Sequence, residues 1–329
     1  MGPTLSIVVP MYNEEAVLAE MHSRLSAVMR ETGLDYEIVM INDGSTDRTA
    51  EMAKALCRDD KRSRLIGFSR NFGHQVAISA GIDKARGNAV VIMDADLQDP
   101  PELIPRMVEK WMEGNKVVYA VRRERKGETR FKRATASLFY KLLSRLSPVK
   151  IPQNTGDFRL MDRKVVDQLK QMPEKARFLR GMVSWVGFRQ CEIEYDRDKR
   201  HAGETKYPFS KMLRFAADGL LSFSQAPLRM ASALGFLCSG VSFVMIVYGL
   251  VVKYFFPETA IHGWASVFVA ILFVGGVQLI CLGIIGEYLG RTYEEIKRRP
   301  LYIIDEEINF DEKTTAPDSI PQILRRWVS

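Results

Sequence analysis

The first 121 residues alternate short apolar runs with stretches of helical periodicity. Buried strands are predicted for runs rich in Val and Ile, at 5–10, 36–41, 64–68, 89–93 and 117–121. Helices are predicted where apolar residues recur every three or four positions, at 14–31, 49–57, 75–86 and 102–113. Strands that alternate with helices indicate an α/β fold with a mostly parallel, Rossmann-like sheet covered on both faces.

Two long uncharged stretches follow in the C-terminal third, at 230–252 and 263–286. As a helix each would be roughly 35 Å long at ~1.5 Å per residue, against ~30 Å of hydrocarbon in a bilayer. We therefore predict two transmembrane helices. Basic residues flank the pair on its outer sides, and the positive-inside rule then predicts an integral multi-pass protein of the cytoplasmic (inner) membrane, with its catalytic domain and both termini in the cytoplasm.

Three further segments complete the predicted organisation. Segment 129–147 has one apolar face and a basic remainder, which fits either a helix in the membrane interface or a helix packed on the sheet. Segment 208–228 has a similar pattern directly before the first span, which favours the interface. Segment 301–310 partly alternates and predicts a strand, which could pair with the sheet of a neighbouring subunit. The predicted units are 1–207, 208–228, 229–289 and a cytoplasmic tail, 290–329.

The charge of the chain limits the kinds of partner that it can bind, and its cysteines indicate the redox compartment. The net charge is +7, and segment 122–150 alone holds ten Lys or Arg against two Glu, which predicts an anionic surface of lipid headgroups or phosphates. No nucleic-acid-binding motif accompanies this segment, so a nucleic-acid partner is not expected. The four cysteines form no CxxC pair, which argues against disulfides and zinc and favours a reducing compartment.

Acidic residues follow two of the predicted strands. Asp94 and Asp96 follow the fourth strand, and two carboxylates so placed can bind Mg²⁺ or Mn²⁺. Asp43 follows the second strand, and the carboxyl ends of parallel strands form the usual ligand edge. Asp99 is interpreted as a helix N-cap before two prolines. His74, with no Cys, His or Glu cluster in the sequence around it, is interpreted as a local hydrogen-bonding residue rather than a catalyst.

Several motifs in order carry a resemblance to a known family. The segments SIVVPMYNEE, INDGSTDRT, SRNFGHQVAISAG and DADLQDPPE resemble the nucleotide-sugar-binding half of family-two glycosyltransferases, which have the GT-A fold. With NTGDFRLMDR, RHAGETKYPFSK and two C-terminal spans, the chain resembles polyisoprenyl-phosphate glycosyltransferases. This group contains dolichyl-phosphate mannose synthase and the bacterial bactoprenol glucosyltransferases, and the two-span layout is most similar to the bacterial branch.

The resemblance implies roles for individual residues. Asp94 and Asp96 would be catalytic and hold the metal, and Asp157 would be the acceptor-side acid, acting as general base or orienting the acceptor. The nucleotide would be bound by Asp94 and by Pro10, Tyr12, Glu14, Asp43, Arg200 and Lys206. The lipid phosphate would be attracted by Arg122, Arg130, Arg133 and Arg291, for which anchoring to anionic headgroups is the alternative.

The reaction that the resemblance implies is inverting transfer of one sugar to an undecaprenyl-type phosphate at the cytoplasmic face of the membrane. The product would be used to modify glycans of the cell envelope. UDP-glucose is the donor that the resemblance favours; GDP-mannose and UDP-aminoarabinose derivatives stay open, as does a non-catalytic membrane scaffold. A homo-oligomer, with a tetramer among the options, is expected.

Overall fold

The structure, a computed structural model, describes residues 4–122, 155–195, 226–255 and 264–310. These residues form one sheet, eight α-helices and a 3₁₀ turn at Pro101–Leu103. The strands are β1 (Leu5–Met11), β2 (Tyr36–Asn42), β3 (Ser63–Phe68), β4 (Ala89–Ile92), β5 (Val117–Arg122), β6 (Thr155–Asp162), β7 (Gln190–Tyr195) and β8 (Ile304–Ile308). The helices are α1 (Leu18–Thr32), α2 (Thr49–Asp59), α3 (His74–Lys84), α4 (Ile104–Met112), α5 (Arg163–Gln171), α6 (Leu179–Trp185), α7 (Ala226–Phe255) and α8 (Trp264–Ile296).

The sheet has the strand order β7-β5-β6-β4-β1-β2-β3-β8. Strands β4, β1, β2 and β3 are parallel, as their long βα connections require, whereas β6 and β8 run antiparallel to their neighbours. Every residue of β1 and β2 is buried, because helices cover both faces of the sheet. The predicted α/β fold with a mostly parallel sheet is confirmed.

Two apolar layers hold the helices against the sheet. One layer packs α1, α2 and α4 through side chains such as Leu25, Cys57 and Met107. The other packs α3, α5 and α6 through side chains such as Ile78 and Val166. The helical periodicity of these residues turns one stripe of each helix toward the sheet. The ends of the β1, β2, β3 and β4 strands are thereby held in fixed relative positions.

Strand β8 closes one edge of the sheet. The strand predicted over 301–310 lies at Ile304–Ile308 and pairs antiparallel with β3 of the same chain; pairing with a neighbouring subunit stays a prediction. Tyr302 stacks on Phe68 with ring centroids 5.1 Å apart, and Lys54 Nζ lies 2.7 Å from a carboxylate oxygen of Glu306. These contacts tie the chain after α8 to the β3 edge, which would otherwise offer unpaired backbone groups.

Helices α7 and α8 are long and apolar enough to cross a membrane, with candidate spans at Pro227–Met245 and Phe273–Ile296. They contact each other, for example where Cys281 Sγ lies 3.5 Å from the carbonyl oxygen of Ala231. Most of the large apolar side chains described on the two helices are exposed, including Phe236 at 80 %. Such a surface is costly in water and favourable in lipid, so the two helices associate the chain with a membrane.

The cytoplasmic end expected for α8 contacts the sheet domain. In the segment between α5 and α6, the backbone N–H of Lys175 donates to Glu295 Oε1 (2.7 Å), and its ammonium donates to the carbonyl of Glu294 (2.6 Å). The end of α8 is thus held beside the start of α6. Segments 129–147 and 311–329, and the part 208–225 of the predicted segment 208–228, lie outside the described residues, and the unit boundaries stay predictions.

Candidate active site

The loops that follow β1 and β2 meet at the carboxyl edge of the sheet. Asn13 N donates to Ser45 Oγ (3.0 Å), and Thr46 N donates to Asn13 Oδ1 (2.8 Å). Glu14 N donates to Thr49 Oγ1 (2.8 Å). These hydrogen bonds join the two loops into one wall of the edge. Three residues predicted to bind the nucleotide belong to this wall: Pro10 in β1, half-exposed Tyr12, and Glu14.

Asp43 follows β2 and is buried. Its carboxylate accepts from two consecutive backbone N–H groups, Phe72 (2.7 Å) and Gly73 (3.0 Å), in the loop before α3. Burial raises the pKa of Asp43, and the two hydrogen bonds oppose that rise. Asp43 therefore fixes the start of α3, a role in addition to the nucleotide binding that the resemblance implies for it.

Gly44, the residue after Asp43, allows the backbone of Arg70 to approach closely. Gly44 has φ +67°, and a Cβ there would lie 2.4 Å from the carbonyl carbon of Arg70. We expect Gly44→Ala to lower the free energy of unfolding by about 3 kcal/mol or more, because the left-handed backbone alone costs ~1–2 kcal/mol and the contact with rigid backbone adds to it. Thermal unfolding measures the effect.

Gly33→Ala is the matched control for that variant. Gly33 has φ +66°, nearly the same as Gly44, but a Cβ there meets no heavy atom within 4 Å. Gly33→Ala should therefore show only the backbone cost of about 1 kcal/mol. Equal losses in the two variants would mean that the approach of the Arg70 backbone to Gly44 is not tight.

Asp94 and Asp96 follow β4 at the centre of the same edge. Asp94 Oδ1 is buried and makes no hydrogen bond within the described part of the chain. Burial, together with the charges of Asp99 and other carboxylates, raises the pKa of Asp94 to about 7. Asp96 Oδ1 accepts from Gln98 N (3.1 Å), and Leu97 between them has φ +60°, so the turn is sharply bent.

These two carboxylates fit a divalent cation. A buried carboxylate oxygen without a hydrogen bond is the type of ligand that a hard cation takes. No group of three or more His, Cys, Asp or Glu that could hold a metal occurs among the described residues. Mg²⁺ commonly takes only one or two protein carboxylates and completes its shell with water and substrate phosphates. The donor set is therefore suited to a metal that arrives with a phosphate ligand.

Asp157 lies opposite Asp94. Strand β6 pairs antiparallel with β4, and Ile92 is level with Arg159. Two residues after Ile92 and two residues before Arg159, Asp94 and Asp157 come to the same level of the sheet. The aspartates of two sequence motifs more than 60 residues apart are brought together by this register.

Asp157 is buried in a cage of donors. Arg180 Nε donates to its Oδ1 (2.9 Å), Gln75 Nε2 donates to its Oδ2 (3.0 Å), and the guanidinium of Arg159 is 3.8 Å away. Burial would raise the pKa of Asp157, but the hydrogen bond from His74 and the charge of Arg180 hold it far below its ordinary value. Asp157 is accordingly a very weak base.

His74 opens α3 beside both carboxylates. Its Nε2 is 3.4 Å from Asp157 Oδ2 and 3.5 Å from Asp94 Oδ1. Burial lowers the pKa of His74, and the two carboxylates outweigh that effect and raise it. His74 was interpreted from the sequence as a local hydrogen-bonding residue, and the structure places it beside carboxylates that come from β6 and from the end of β4.

The remaining residues to which the sequence analysis gave a role lie at several other places in the structure or outside its described part. Arg122 ends β5 at the same edge of the sheet. Arg291 lies on α8, where its Nε is 3.1 Å from Glu287 Oε1. Asp99 does not cap a helix: Pro100 occupies the cap position, and Asp99 Oδ1 accepts from Tyr195 Oη (2.8 Å). Arg130, Arg133, Arg200 and Lys206 lie outside the described residues.

Four residues around Asp157 were missed: His74, Gln75, Arg159 and Arg180. A signal existed for one of them. Asp157 and Arg159 are two apart in a strand and therefore share a face. An acid and a base on one face of a buried strand indicate an internal ion pair. Gln75 and Arg180 carry no comparable local signal, since only the packing of α3 and α6 brings them to β6.

Comparison with known proteins identifies the family of the chain. The model of the family "Glycosyl transferase family 2" matches residues 6–170. The uncharacterized glycosyltransferase YkcC of Bacillus subtilis is 54 % identical over 313 residues, 95 % of this chain and 97 % of that protein. The prophage bactoprenol glucosyl transferase homolog of Escherichia coli is 43 % identical, over 91 % of this chain and 98 % of that protein. The bactoprenol glucosyl transferase of Shigella phage SfV is 42 % identical, over 92 % and 98 %. The chain therefore belongs to glycosyl transferase family 2 and is a glycosyltransferase.

Proposed function

We propose that this enzyme transfers one sugar from a nucleotide sugar to a polyprenyl phosphate at the membrane surface, with inversion at the anomeric carbon. The observation that carries the proposal is the link between site and membrane. The acidic edge is the carboxyl edge of the sheet that carries Asp94, Asp96 and Asp157. In the same domain, α6 supplies Arg180 to Asp157. The segment before α6 is hydrogen-bonded to the end of α8. Relatives named bactoprenol glucosyl transferase, similar over about nine-tenths of the chain, support the same acceptor.

On the donor side, Asp94 and Asp96 would hold Mg²⁺ or Mn²⁺. When bound, the cation supplies positive charge that stabilises the nucleoside diphosphate leaving group. The buried, hydrogen-bond-free Asp94 Oδ1 supports this assignment. The nucleotide would be bound by the residues that the resemblance names, Pro10, Tyr12, Glu14, Asp43, Arg200 and Lys206.

On the acceptor side, Asp157 would orient groups rather than remove a proton. A phosphate monoester has its second pKa near ~6 and is largely a dianion at neutral pH, so it needs no base. One of its oxygens forms the bond to the anomeric carbon, and the nucleoside diphosphate leaves with the bonding electron pair. The depressed pKa of Asp157 and its cage of donors support an orienting role. Arg122, Arg130, Arg133 and Arg291 are the proposed contacts of the lipid phosphate.

The proposal extends to the donor, the membrane topology and the oligomeric state. UDP-glucose is the proposed donor, from which glucose is transferred, with GDP-mannose or a UDP-aminoarabinose derivative as alternatives. The two helices α7 and α8 would both cross the cytoplasmic membrane, with the catalytic domain and both termini in the cytoplasm. A homo-oligomer is proposed, with a tetramer among the options.

A transfer assay tests the function directly. Membranes that contain the protein are supplied with Mg²⁺, undecaprenyl phosphate and radiolabelled UDP-glucose, and label is counted in the organic phase. We expect lipid-soluble label from the wild type and none from Asp96→Asn. If only another nucleotide sugar transfers label, the donor assignment is overturned; if none does, the chain acts as a scaffold instead.

A further inference from the structure

We propose that His74 is a positioning residue that sets the separation between the donor-side carboxylate Asp94 and the acceptor-side carboxylate Asp157. This inference rests on the proposed function and adds to it a residue that joins the two halves of the site. The imidazole Nε2 is nearly equidistant from Asp157 Oδ2 (3.4 Å) and Asp94 Oδ1 (3.5 Å). The two carboxylate oxygens are therefore at most about 7 Å apart, with the imidazole Nε2 close to both.

The backbone on both sides of His74 is fixed. The two preceding residues, Phe72 and Gly73, donate their N–H groups to Asp43. The following residue, Gln75, donates to Asp157 Oδ2 (3.0 Å) and accepts from Leu179 N (3.2 Å). The imidazole thus stands on a segment that is anchored to β2, β6 and α6. Because this segment is anchored, the imidazole can fix the distance between the two carboxylates instead of moving with them.

Packing does not account for His74. Its side chain is 46 % exposed, whereas the apolar residues of α3 that hold the helix on the sheet, Ala77 and Ile78, are fully buried. The exposed side of the imidazole lies at the carboxyl edge, where a substrate would bind. The contacts of His74 with the two carboxylates are therefore the feature of this residue that the fold does not itself require.

The alternative is that His74 contributes only charge balance to Asp94. That role would be independent of Asp157. Under our proposal His74 acts through both carboxylates at once, so its removal and the removal of the Asp157 charge disturb the same arrangement. The two effects on turnover should then not multiply.

The test compares His74→Ala with His74→Gln in the full-length protein. We expect His74→Ala to lower kcat for sugar transfer about 100-fold, the size of effect that a misplacement of about 1 Å produces. The Kd of UDP with Mn²⁺, measured by calorimetry, should change less than about 3-fold, since the nucleotide does not depend on the spacing to Asp157. His74→Gln should recover at least about 10-fold in kcat, because its amide can place an N–H near the Nε2 position. The double variant His74→Ala/Asp157→Asn should have a kcat no lower than about 3-fold below the slower single variant.

His22→Gln is the control for a histidine change elsewhere in the domain. His22 is buried against Ser63 Oγ (2.7 Å), away from the acidic edge, and its replacement should leave kcat within about 2-fold. A kcat of His74→Ala equal to that of the wild type, a loss confined to UDP affinity, or independent effects in the double variant would each overturn the inference. A wild type without any transfer activity would overturn the proposed function, and this inference with it.

Discussion

Replacing Asp94 with asparagine should abolish nearly all sugar transfer and yet make the protein more stable at pH 8. The change keeps the shape of the side chain and removes its charge. If Asp94 holds the cation as proposed, loss of its charge should lower kcat about 1,000-fold, comparable to the removal of one strong electrostatic contact to a transition state. The transfer assay in membranes measures this effect.

The stability gain follows from the raised pKa. The ordinary pKa of an aspartate, 3.8, becomes about 7 for Asp94 in the folded protein because burial and neighbouring carboxylates disfavour its charge. Between these two values the unfolded chain ionises Asp94 more readily, so the free energy of unfolding falls as the pH rises from about 4 to about 7. The wild type therefore carries the full penalty at pH 8, and Asp94→Asn carries none. Without metal and nucleotide, the variant should unfold at a higher temperature at pH 8 and at nearly the wild-type temperature at pH 4.

Asp59→Asn is the control for Asp94→Asn. Asp59 is exposed at the end of α2, and its change should leave kcat and the unfolding temperature close to the wild type. If Asp94→Asn unfolds at a lower temperature than the wild type at pH 8, the buried charge of Asp94 is stabilised by partners that the contacts above do not include.

Replacing Asp157 with asparagine should also reduce transfer, but with the opposite effect on stability. The carboxylate compensates the buried guanidinium of Arg159, which is 4 % exposed, and that of Arg180. Removal of one partner from a buried ion pair costs about 3 kcal/mol, which corresponds to a fall of roughly 6–12 °C in the unfolding temperature of a domain of this size. The kcat should fall about 100-fold, because Arg180, Gln75 and His74 lose the group that orders them. Calorimetry and the transfer assay measure the two effects.

The pH dependence of Asp157 has the opposite sign to that of Asp94. Because its pKa is held far below the ordinary value, its contribution to stability is complete above about pH 4 and is lost only as the pH falls further. The wild type should therefore lose stability in strong acid, and Asp157→Asn should lose less. A kcat for Asp157→Asn that recovers at alkaline pH would indicate that Asp157 acts as a base, contrary to its proposed orienting role.

Asp162→Asn is the control for Asp157→Asn, because Asp162 lies on the same strand but far from the candidate site. Asp162 ends β6 at the opposite edge, where it accepts from Trp111 Nε1 (2.7 Å) and Lys116 Nζ (2.9 Å). Its replacement should lower the unfolding temperature and leave kcat close to the wild type. A large loss of kcat in this control would mean that stability alone explains the loss in Asp157→Asn.

Much of the fold could be predicted from local patterns. The runs that became β1, β2 and β4 are continuous Val and Ile stretches, and the helices between them show one apolar stripe each. The prediction weakened after residue 122. Strand β6 contains Asp157, Arg159 and Asp162 among apolar residues, and its pairing with β4 and β5 depends on residues far away along the chain.

The candidate site divides in the same way. Asp43, Asp94 and Asp96 were identified because each follows a strand, and parallel strands place such residues at one edge. The cage around Asp157 could not be identified, because α3, β6 and α6 contribute to it from separate parts of the sequence. The two carboxylates beside His74 could not be identified for the same reason, since they are 20 and 83 residues away along the chain.

The sequence by itself determined the strands and helices of the first 121 residues, the two apolar helices and the acidic turn after β4, because periodicity, length and charge act over a few neighbouring residues. Only the tertiary structure decided that β6 runs antiparallel to β4, that β8 returns to β3, and that His74 lies between two aspartates. Strand order and register are settled by the burial of both faces of the sheet at once, a condition that no local segment contains. The chemistry of the edge follows from that arrangement, since burial and distance set which carboxylate is readily ionised and which is not.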